Sequence, residues 1–152
     1  MKLNILNNES DACSRCPNPC CKSMPGTAVP DDLKVLSAEH IAELLNTGDW
    51  SIDCWDAHPD NIYYLRPSTV NGRHRTYDLS WGGPCVFLGE NGCKMPFEER
   101  PLNCRLLIPN SDEPGNCDFP EEVDEHTKLW FANHWIDHQD MLTEAAILCV
   151  RR

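Results

Sequence analysis

The chain has 152 residues, of which 24 are acidic and 13 basic, and its formal net charge is −11. This acidic excess repels nucleic acid phosphates and anionic lipid head groups. The sequence therefore predicts neither nucleic acid nor membrane as a partner, and it leaves any protein partner unidentified. A hydrophobic content of 41% with 12 prolines and 8 glycines predicts one modest core with long irregular loops.

The first predicted element is a loop over residues 10–30 that holds four of the ten cysteines. The pattern is Cys-x2-Cys-x3-Cys-Cys, formed by Cys13, Cys16, Cys20 and Cys21. Thiols this close together need a shared partner, because too little chain surrounds them to bury each one separately. They therefore either pair as disulfides or bind a metal as thiolates.

The N-terminus favours the metal. Residues 1–9 lack the apolar core of a secretory signal, which predicts a cytoplasmic protein. Thiols stay reduced in the cytosol, where cysteine clusters are more often metal sites than disulfides. The adjacent Cys20 and Cys21 are also poorly placed to bridge each other, because the short ring is strained.

A helix is predicted next. It should begin after Ser37, a good N-cap residue, and end near Gly48, a typical C-terminal cap. The apolar stripe of this helix consists of Ile41, Leu44 and Leu45.

Strands follow over residues 50–80. Residues 61–65 and 76–79 are β-rich runs, and the Asn71-Gly72 dipeptide between them is a strong hairpin signal, so the two runs are predicted to pair. Cys54 lies in another strand-like run and Cys149 near the chain end. Both are predicted to be ordinary buried thiols.

Residues 81–120 are again rich in glycine, proline and cysteine, and they hold the second cysteine group: Cys85, Cys93, Cys104 and Cys117. A second Asn-Gly turn ends at Gly92 and predicts a hairpin that brings Cys85 and Cys93 into one neighbourhood. A helical turn over residues 96–100 is expected to carry Cys104 back beside them. Cys117 fits two interpretations equally, an eighth ligand or a loop cysteine.

Two arginines accompany this group. Arg100 and Arg105 would lie close to a thiolate-rich centre, where a guanidinium offsets negative charge and donates hydrogen bonds. We expect Arg105 to be partly buried and to pair with the centre or with an acid such as Glu98 or Glu99.

The last predicted element is a long helix over residues 121–148, with no proline or glycine and with acidic residues in its first turn. His134 and His138 are four residues apart, which places them on one face of an α-helix, with His126 further back. A solvated or half-buried helix face explains them better than a metal site, because aromatic residues are interleaved with them.

The cysteine motifs resemble the CxxCxxCC family, also called the YkgJ family. The resemblance covers about residues 13–108, and its motifs are the first four cysteines together with Pro84-Cys85, Gly92-Cys93, Arg100-Pro101 and Cys104-Arg105. The chain departs from the pattern in having three residues between Cys16 and Cys20, where the family name has two. The resemblance implies metal binding and, through the flagellin lysine-N-methylases associated with the domain, an alternative as a modifying enzyme. It implies no particular reaction.

The spacing favours an iron–sulfur cluster over zinc by a small margin, because a tetrahedral zinc site usually draws on two Cys-x2-Cys pairs and this chain has one. We expect an electron-transfer, metal-handling or accessory module, with a structural zinc domain for protein interaction as a further alternative. The predicted fold is a small irregular α+β domain, stabilised by metal, with a short antiparallel hairpin region. Residues 1–120 would form the cysteine-cluster domain, and residues 121–152 a helix packed on it.

Overall fold

The computed structural model describes residues 24–56, 61–79, 82–90, 92–106, 108–109, 117–123 and 127–150. Within them the chain is a mixture of helices and short antiparallel strand pairs, which confirms the predicted α+β class. The helices are α1 (Ala38–Asn46), α2 (Leu102–Arg105), α3 (Thr127–Ala132) and α4 (Gln139–Val150), with 3-10 turns at Pro30–Asp32, Phe97–Glu99 and Asn133–His138. The strands pair as β1 (Trp50–Asp56) with β2 (Asn61–Pro67), β3 (Leu88–Gly89) with β4 (Gly92–Cys93), and β5 (Ile108–Pro109) with β6 (Cys117–Asp118).

Helix α1 begins and ends where its sequence signals predict. The Ser37 hydroxyl accepts a hydrogen bond from the backbone N–H of His40 at 3.1 Å, as an N-cap should. Gly48 adopts a φ of +84°, the left-handed conformation that favours glycine just beyond a helix. The buried stripe includes Ile41 and Leu45, so α1 packs its apolar face inward.

The main strand pair differs from the prediction. Strand β2 pairs with β1, with Ile52 opposite Leu65, and not with residues 76–79. Those residues form an isolated parallel bridge between Tyr77 and Ile52, on the other side of β1. The Asn71-Gly72 turn does exist, but the chain after it runs beside β1 and not beside β2.

Hydrogen bonds from outside the strand pair reach the far side of β2. The backbone N–H of Ala28 donates to the carbonyl of Leu65 at 3.0 Å. The side-chain amide of Gln139 accepts from the N–H of Tyr63 and donates to the carbonyl of the same residue, both at 2.9 Å. The start of the described chain and the start of α4 are thereby fixed to one strand.

The C-terminal helix is present but differs in detail from the prediction. It begins at Thr127, not at Glu121, because residues 121–123 form a turn that buries Val123. The stretch Asn133–His138 winds as a tighter 3-10 helix. Trp135 in this stretch is fully buried, and its indole N–H donates to the carbonyl of Ala28 at 2.7 Å.

Two clusters of buried apolar side chains organise the interior. The larger one joins α1, β1, β2 and α4 around Trp135. The smaller one consists of Val29, Leu106, Val123 and Phe131. Leu106 directly follows α2, so the smaller cluster lies under the helix that carries Cys104. No helix in the described part of the chain is both long and apolar enough to cross a membrane.

Candidate metal centre

The predicted cysteine hairpin is present. Leu88 lies opposite Cys93 in the β3–β4 pair, and the N–H of Lys94 donates to the carbonyl of Phe87 at 2.7 Å. Gly92 has a φ of +98°, a conformation that the turn requires and that glycine adopts without strain. The N–H of Leu88 also donates to the carbonyl of Cys85 at 3.0 Å. Leu88 thus joins the backbones of Cys85 and Cys93, as the hairpin prediction required.

The segment around Cys85 is held on both sides by backbone hydrogen bonds. The N–H of Val70 donates to the carbonyl of Pro84 at 2.8 Å, and the N–H of Val86 donates to the carbonyl of Ser68 at 3.0 Å. Thr69 and Cys85 face each other in an isolated antiparallel bridge. Cys85 is 8% exposed, whereas Cys93 is half-buried.

Cys104 lies in the short helix α2. The predicted helical turn before it is confirmed by the 3-10 turn Phe97–Glu99. Arg100, which follows that turn, is 4% exposed, and its Nε donates to the carbonyl of Met95 at 3.0 Å. The guanidinium also lies over the ring of Phe97, 5.8 Å from its centroid. A charged side chain is therefore buried four residues before Cys104.

The start of the described chain packs against Cys104. A Cβ atom placed on Gly26 would lie 2.5 Å from the Sγ atom of Cys104, so only a glycine leaves room for the thiol. The N–H of Thr27 donates to Oδ1 of Asn103 at 2.9 Å. The backbone a few residues after the first cysteine group is thus in contact with a cysteine of the second.

Asp32 reinforces this contact. Its Oδ2 accepts hydrogen bonds from the N–H of Val29 at 2.9 Å and from the N–H of Leu102, the first residue of α2, at 2.8 Å. Its Oδ1 pairs with Nη2 of Arg105. One carboxylate therefore caps its own 3-10 turn and the start of α2, and also neutralises a guanidinium at the end of α2.

Arg105 is partly buried as predicted, with its side chain 19% exposed. Its partner is an acid, as expected, but that acid is Asp32 and neither of the two examples named, Glu98 and Glu99. The two glutamates are exposed on the turn before α2, while Nε of Arg105 donates to the carbonyl of Arg100 at 2.9 Å. The guanidinium is therefore directed along α2 toward the beginning of the described chain.

Of the five remaining predicted ligands, the structure describes one. Cys117 lies in β6, where its backbone pairs with Pro109, five residues beyond Cys104. Cys13, Cys16, Cys20 and Cys21 lie outside the described residues. Among the residues that the structure does describe, no three His, Cys, Asp or Glu side chains are grouped so as to hold a metal ion.

The histidines of the C-terminal helix do not share a face. His134 and His138 both lie in the 3-10 stretch, where three residues complete a turn, so a spacing of four separates their directions by about 120°. Nδ1 of His134 lies 3.0 Å from the carbonyl oxygen of Trp130, within hydrogen-bonding distance, and both imidazoles are half-buried. Both side chains are half-buried, as expected, but they point in different directions and form no common face. His126 lies outside the described residues.

The two thiols predicted to be buried are half-buried instead. Sγ of Cys149 donates to Oδ1 of Asn46 at 3.1 Å, at the end of α1. Cys54 lies in β1, as expected, with intermediate exposure.

The sequence interpretation missed a buried ionic network beside the Cys85 segment. Arg66 is fully buried, and its Nε donates to Oδ2 of Asp53 at 2.9 Å while its Nη2 lies 3.3 Å from Oδ2 of Asp78. The hydroxyl of Tyr64 donates to the same oxygen of Asp53 at 3.0 Å. Burial, and then the negative charge of Asp53, raise the pKa of the Tyr64 hydroxyl far above its ordinary value. No local sequence signal marks these residues, because their partners are brought together by strand pairing.

Asp32 and Gly26 were missed as well, although Asp32 carried a signal. It stands at the third position of a turn that begins with Pro30, and an acid at this position often caps the backbone before the turn.

The donor chemistry of the site suits a thiophilic metal. Thiols are ligands that zinc and iron–sulfur clusters share, and the buried Arg100 and half-buried Arg105 supply positive charge near Cys104. A family model described as "Putative zinc- or iron-chelating domain", CxxCxxCC, matches residues 12–128. The chain belongs to this family, and the description supports metal binding in general. No curated protein and no solved structure matches the chain.

Proposed function

We propose that the protein binds an iron–sulfur cluster or a zinc ion through thiolates of both cysteine groups, and that it acts as an electron-transfer, metal-handling or accessory module. The proposed ligands come from Cys13, Cys16, Cys20 and Cys21 and from Cys85, Cys93, Cys104 and Cys117. Arg100 and Arg105 would offset the charge of the thiolates.

The contact of Gly26 with Sγ of Cys104 carries the proposal. Cys21 precedes Gly26 by five residues, so covalent geometry keeps their Cα atoms within about 18 Å of each other. Gly26 is fixed at Cys104 by sterics, and the residues after it are fixed to α2 through Asn103 and Asp32. This bound applies to Cys21, the member of the first cysteine group nearest to Gly26, and it supports a centre shared with the second group.

The positive charges support the same conclusion. Several thiolates around one metal carry net negative charge, and the chain as a whole has a formal charge of −11. Burying a guanidinium costs free energy unless it meets negative charge. Arg105 meets Asp32, and Arg100 and Arg105 lie at the two ends of the segment that carries Cys104. Because Asp32 already balances the charge of Arg105, this arginine would support an anionic centre mainly through hydrogen bonds.

The irregular spacing favours iron–sulfur over zinc within this proposal. Cys85 and Cys93 are joined through a turn and a strand pair, not through the tight Cys-x2-Cys turn that zinc sites commonly use. A cluster with several iron atoms accepts ligands at more varied positions than one tetrahedral ion does.

The test is elemental analysis and visible absorption of protein purified without air. An iron–sulfur protein would be brown and contain iron and sulfide, whereas a zinc protein would be colourless. The variant Cys93→Ser should lose most of the metal and much of the stability, because metal binding and folding share one free energy. Its matched control is Cys149→Ser, which changes a half-buried thiol bonded to Asn46.

The expected result is metal in the parent and in Cys149→Ser, with a marked loss in Cys93→Ser. Parent protein that holds neither iron nor zinc would overturn the proposal. Cys93→Ser protein that keeps its full metal content would remove Cys93 from the ligand set.

A further inference from the structure

We propose that Arg66 and Thr69 are positioning residues for Cys85. Arg66 holds Thr69 through the carboxylate of Asp78, and Thr69 in turn holds the Cys85 segment in the geometry of a metal ligand. This inference rests on the proposed function for the role of Cys85, and the connection between these residues is made by hydrogen bonds that the structure describes.

Arg66 is held by hydrogen bonds from its side-chain nitrogens. Its side chain is fully buried, and each of its three nitrogens has an acceptor. Nε donates to Asp53, Nη1 donates to the carbonyl of Pro67 at 2.9 Å, and Nη2 donates to the carbonyl of Asp78 at 2.8 Å. These partners hold the planar guanidinium in one orientation. The single ammonium of a lysine could not make the same set of hydrogen bonds.

The carboxylate of Asp78 connects Arg66 to Thr69. The Oδ2 atom of Asp78 lies 3.3 Å from Nη2 of Arg66 and accepts a hydrogen bond from the Thr69 hydroxyl at 3.2 Å. The same hydroxyl oxygen accepts a bond from the N–H of Gly72 at 2.9 Å. Gly72 packs so closely on Asp78 and Thr69 that a Cβ atom there would collide with both side chains. Thr69 is therefore fixed in its orientation from two directions.

Backbone pairing connects Thr69 to Cys85. Thr69 faces Cys85 in the antiparallel bridge, and the flanking residues of the two segments exchange the hydrogen bonds between Val70 and Pro84 and between Val86 and Ser68. Ser68 is itself anchored, because its hydroxyl donates to the carbonyl of Gly48 at 3.0 Å. Residues 68–70 thus form a rigid support on which the Cys85 segment lies.

The buried charges of this network limit which of its residues can be substituted without unfolding the protein. Two buried carboxylates, Asp53 and Asp78, surround one buried guanidinium, all of them at most 4% exposed. Removing the guanidinium would leave two buried anions, so an Arg66 variant would be expected to unfold. Thr69 and Gly72 allow the connection to be weakened without a change of charge.

The experiment compares Thr69→Val with the parent protein as purified. Valine has the shape of threonine but cannot donate to Asp78, so the support should loosen while the fold remains. We measure the rate at which metal passes to the chromogenic chelator 4-(2-pyridylazo)resorcinol, and the rate at which N-ethylmaleimide modifies Cys85, located by peptide mass spectrometry. Loss of an outer-shell group that orients a ligand weakens metal affinity by about 10- to 100-fold. We expect metal release to be faster by up to about the same factor, and Cys85 modification to be markedly faster.

The matched control is Thr76→Val, which removes a half-buried hydroxyl that contacts Cys149 at 3.5 Å and has no described bond to the Cys85 segment. It should leave both rates unchanged. Gly72→Ala is a second test variant, because its new methyl group would displace Asp78 and Thr69 and should reproduce the effect of Thr69→Val.

Unchanged rates in Thr69→Val and Gly72→Ala would overturn the inference. So would equal acceleration in Thr76→Val, because that would indicate general loosening. Parent protein without metal would refute the proposed function alone. In that case, faster maleimide modification in Thr69→Val would still support the positioning of Cys85, and an unchanged rate would overturn it.

Discussion

Nη2 of Arg105 lies 2.5 Å from Oδ1 of Asp32, and the two residues are 73 positions apart in the chain. This pair connects the first turn of the described chain with the helix that carries Cys104. The side chain of Asp32 is 7% exposed, so water screens the pair weakly.

Asp32→Asn should destabilise the protein by about 2 kcal/mol, because the amide removes the charge that two backbone N–H groups and one guanidinium use. Urea denaturation measures the change. The neighbouring Asp31→Asn is the control, since Asp31 is exposed and makes none of these bonds, and it should remain within about 0.5 kcal/mol of the parent. Equal stability of the two variants would show that the Asp32 pair contributes nothing.

Arg105→Leu should lose metal, and Arg105→Lys should recover only part of it. One ammonium cannot bond both Asp32 and the carbonyl of Arg100 in the geometry that the guanidinium provides. Metal content per chain and the visible spectrum are the measurements. Arg73→Leu is the control, because Arg73 forms a more exposed pair with Asp49 and should change neither quantity. Metal content unchanged in both Arg105 variants would contradict a role in the centre.

Gly26→Ala should destabilise the protein by about 1–3 kcal/mol, because the added methyl group would lie against Sγ of Cys104. The φ of Gly26 is not in the left-handed region, so the effect is steric and not conformational. The same substitution in a Cys104→Ala background should cost less, since the opposing sulfur is gone. A double-mutant cycle in urea measures this coupling, and additive costs would place the two residues apart.

Tyr64→Phe should reduce the unfolding free energy less at pH 11 than at pH 8. The pKa of Tyr64 is raised in the folded state, so the folded protein keeps this proton when the unfolded chain loses it near pH 10. Stability from this group is therefore complete below about pH 10 and decreases above it, by about 1.4 kcal/mol per pH unit. Tyr64→Phe lacks this slope, and chemical denaturation at several pH values reveals the difference. Parallel pH profiles would contradict the prediction.

The sequence predicted the elements whose signals are local. The cap at Ser37, the left-handed Gly48 and the turn at Gly92 each depend on neighbours within a few residues, and all three are present. The Asn71-Gly72 turn was also real, but the pairing inferred from it was wrong. A turn signal indicates where the chain reverses and does not indicate which strand the following residues will pair with.

Contacts across long stretches of chain could not be predicted. The burial of Arg66 depends on Asp53 and Asp78, which come from different segments, and an isolated arginine in a strand normally indicates an exposed side. The acid that pairs with Arg105 was not identified for the same reason, because the glutamates named as examples are near it in the chain and Asp32 is not. The ligand roles of all eight cysteines in the two groups stay predictions.

The amide of Gln139 has a consequence for how the protein behaves at high concentration. A short two-stranded ribbon normally leaves a row of unpaired N–H and C=O groups along its border, where another chain can add a strand and begin aggregation. Gln139 occupies both backbone groups of Tyr63, and Ala28 occupies the carbonyl of Leu65 two residues further along. A helix side chain therefore satisfies backbone groups that an added strand would need, and it presents no strand edge of its own, so we expect this border of β2 to resist strand addition.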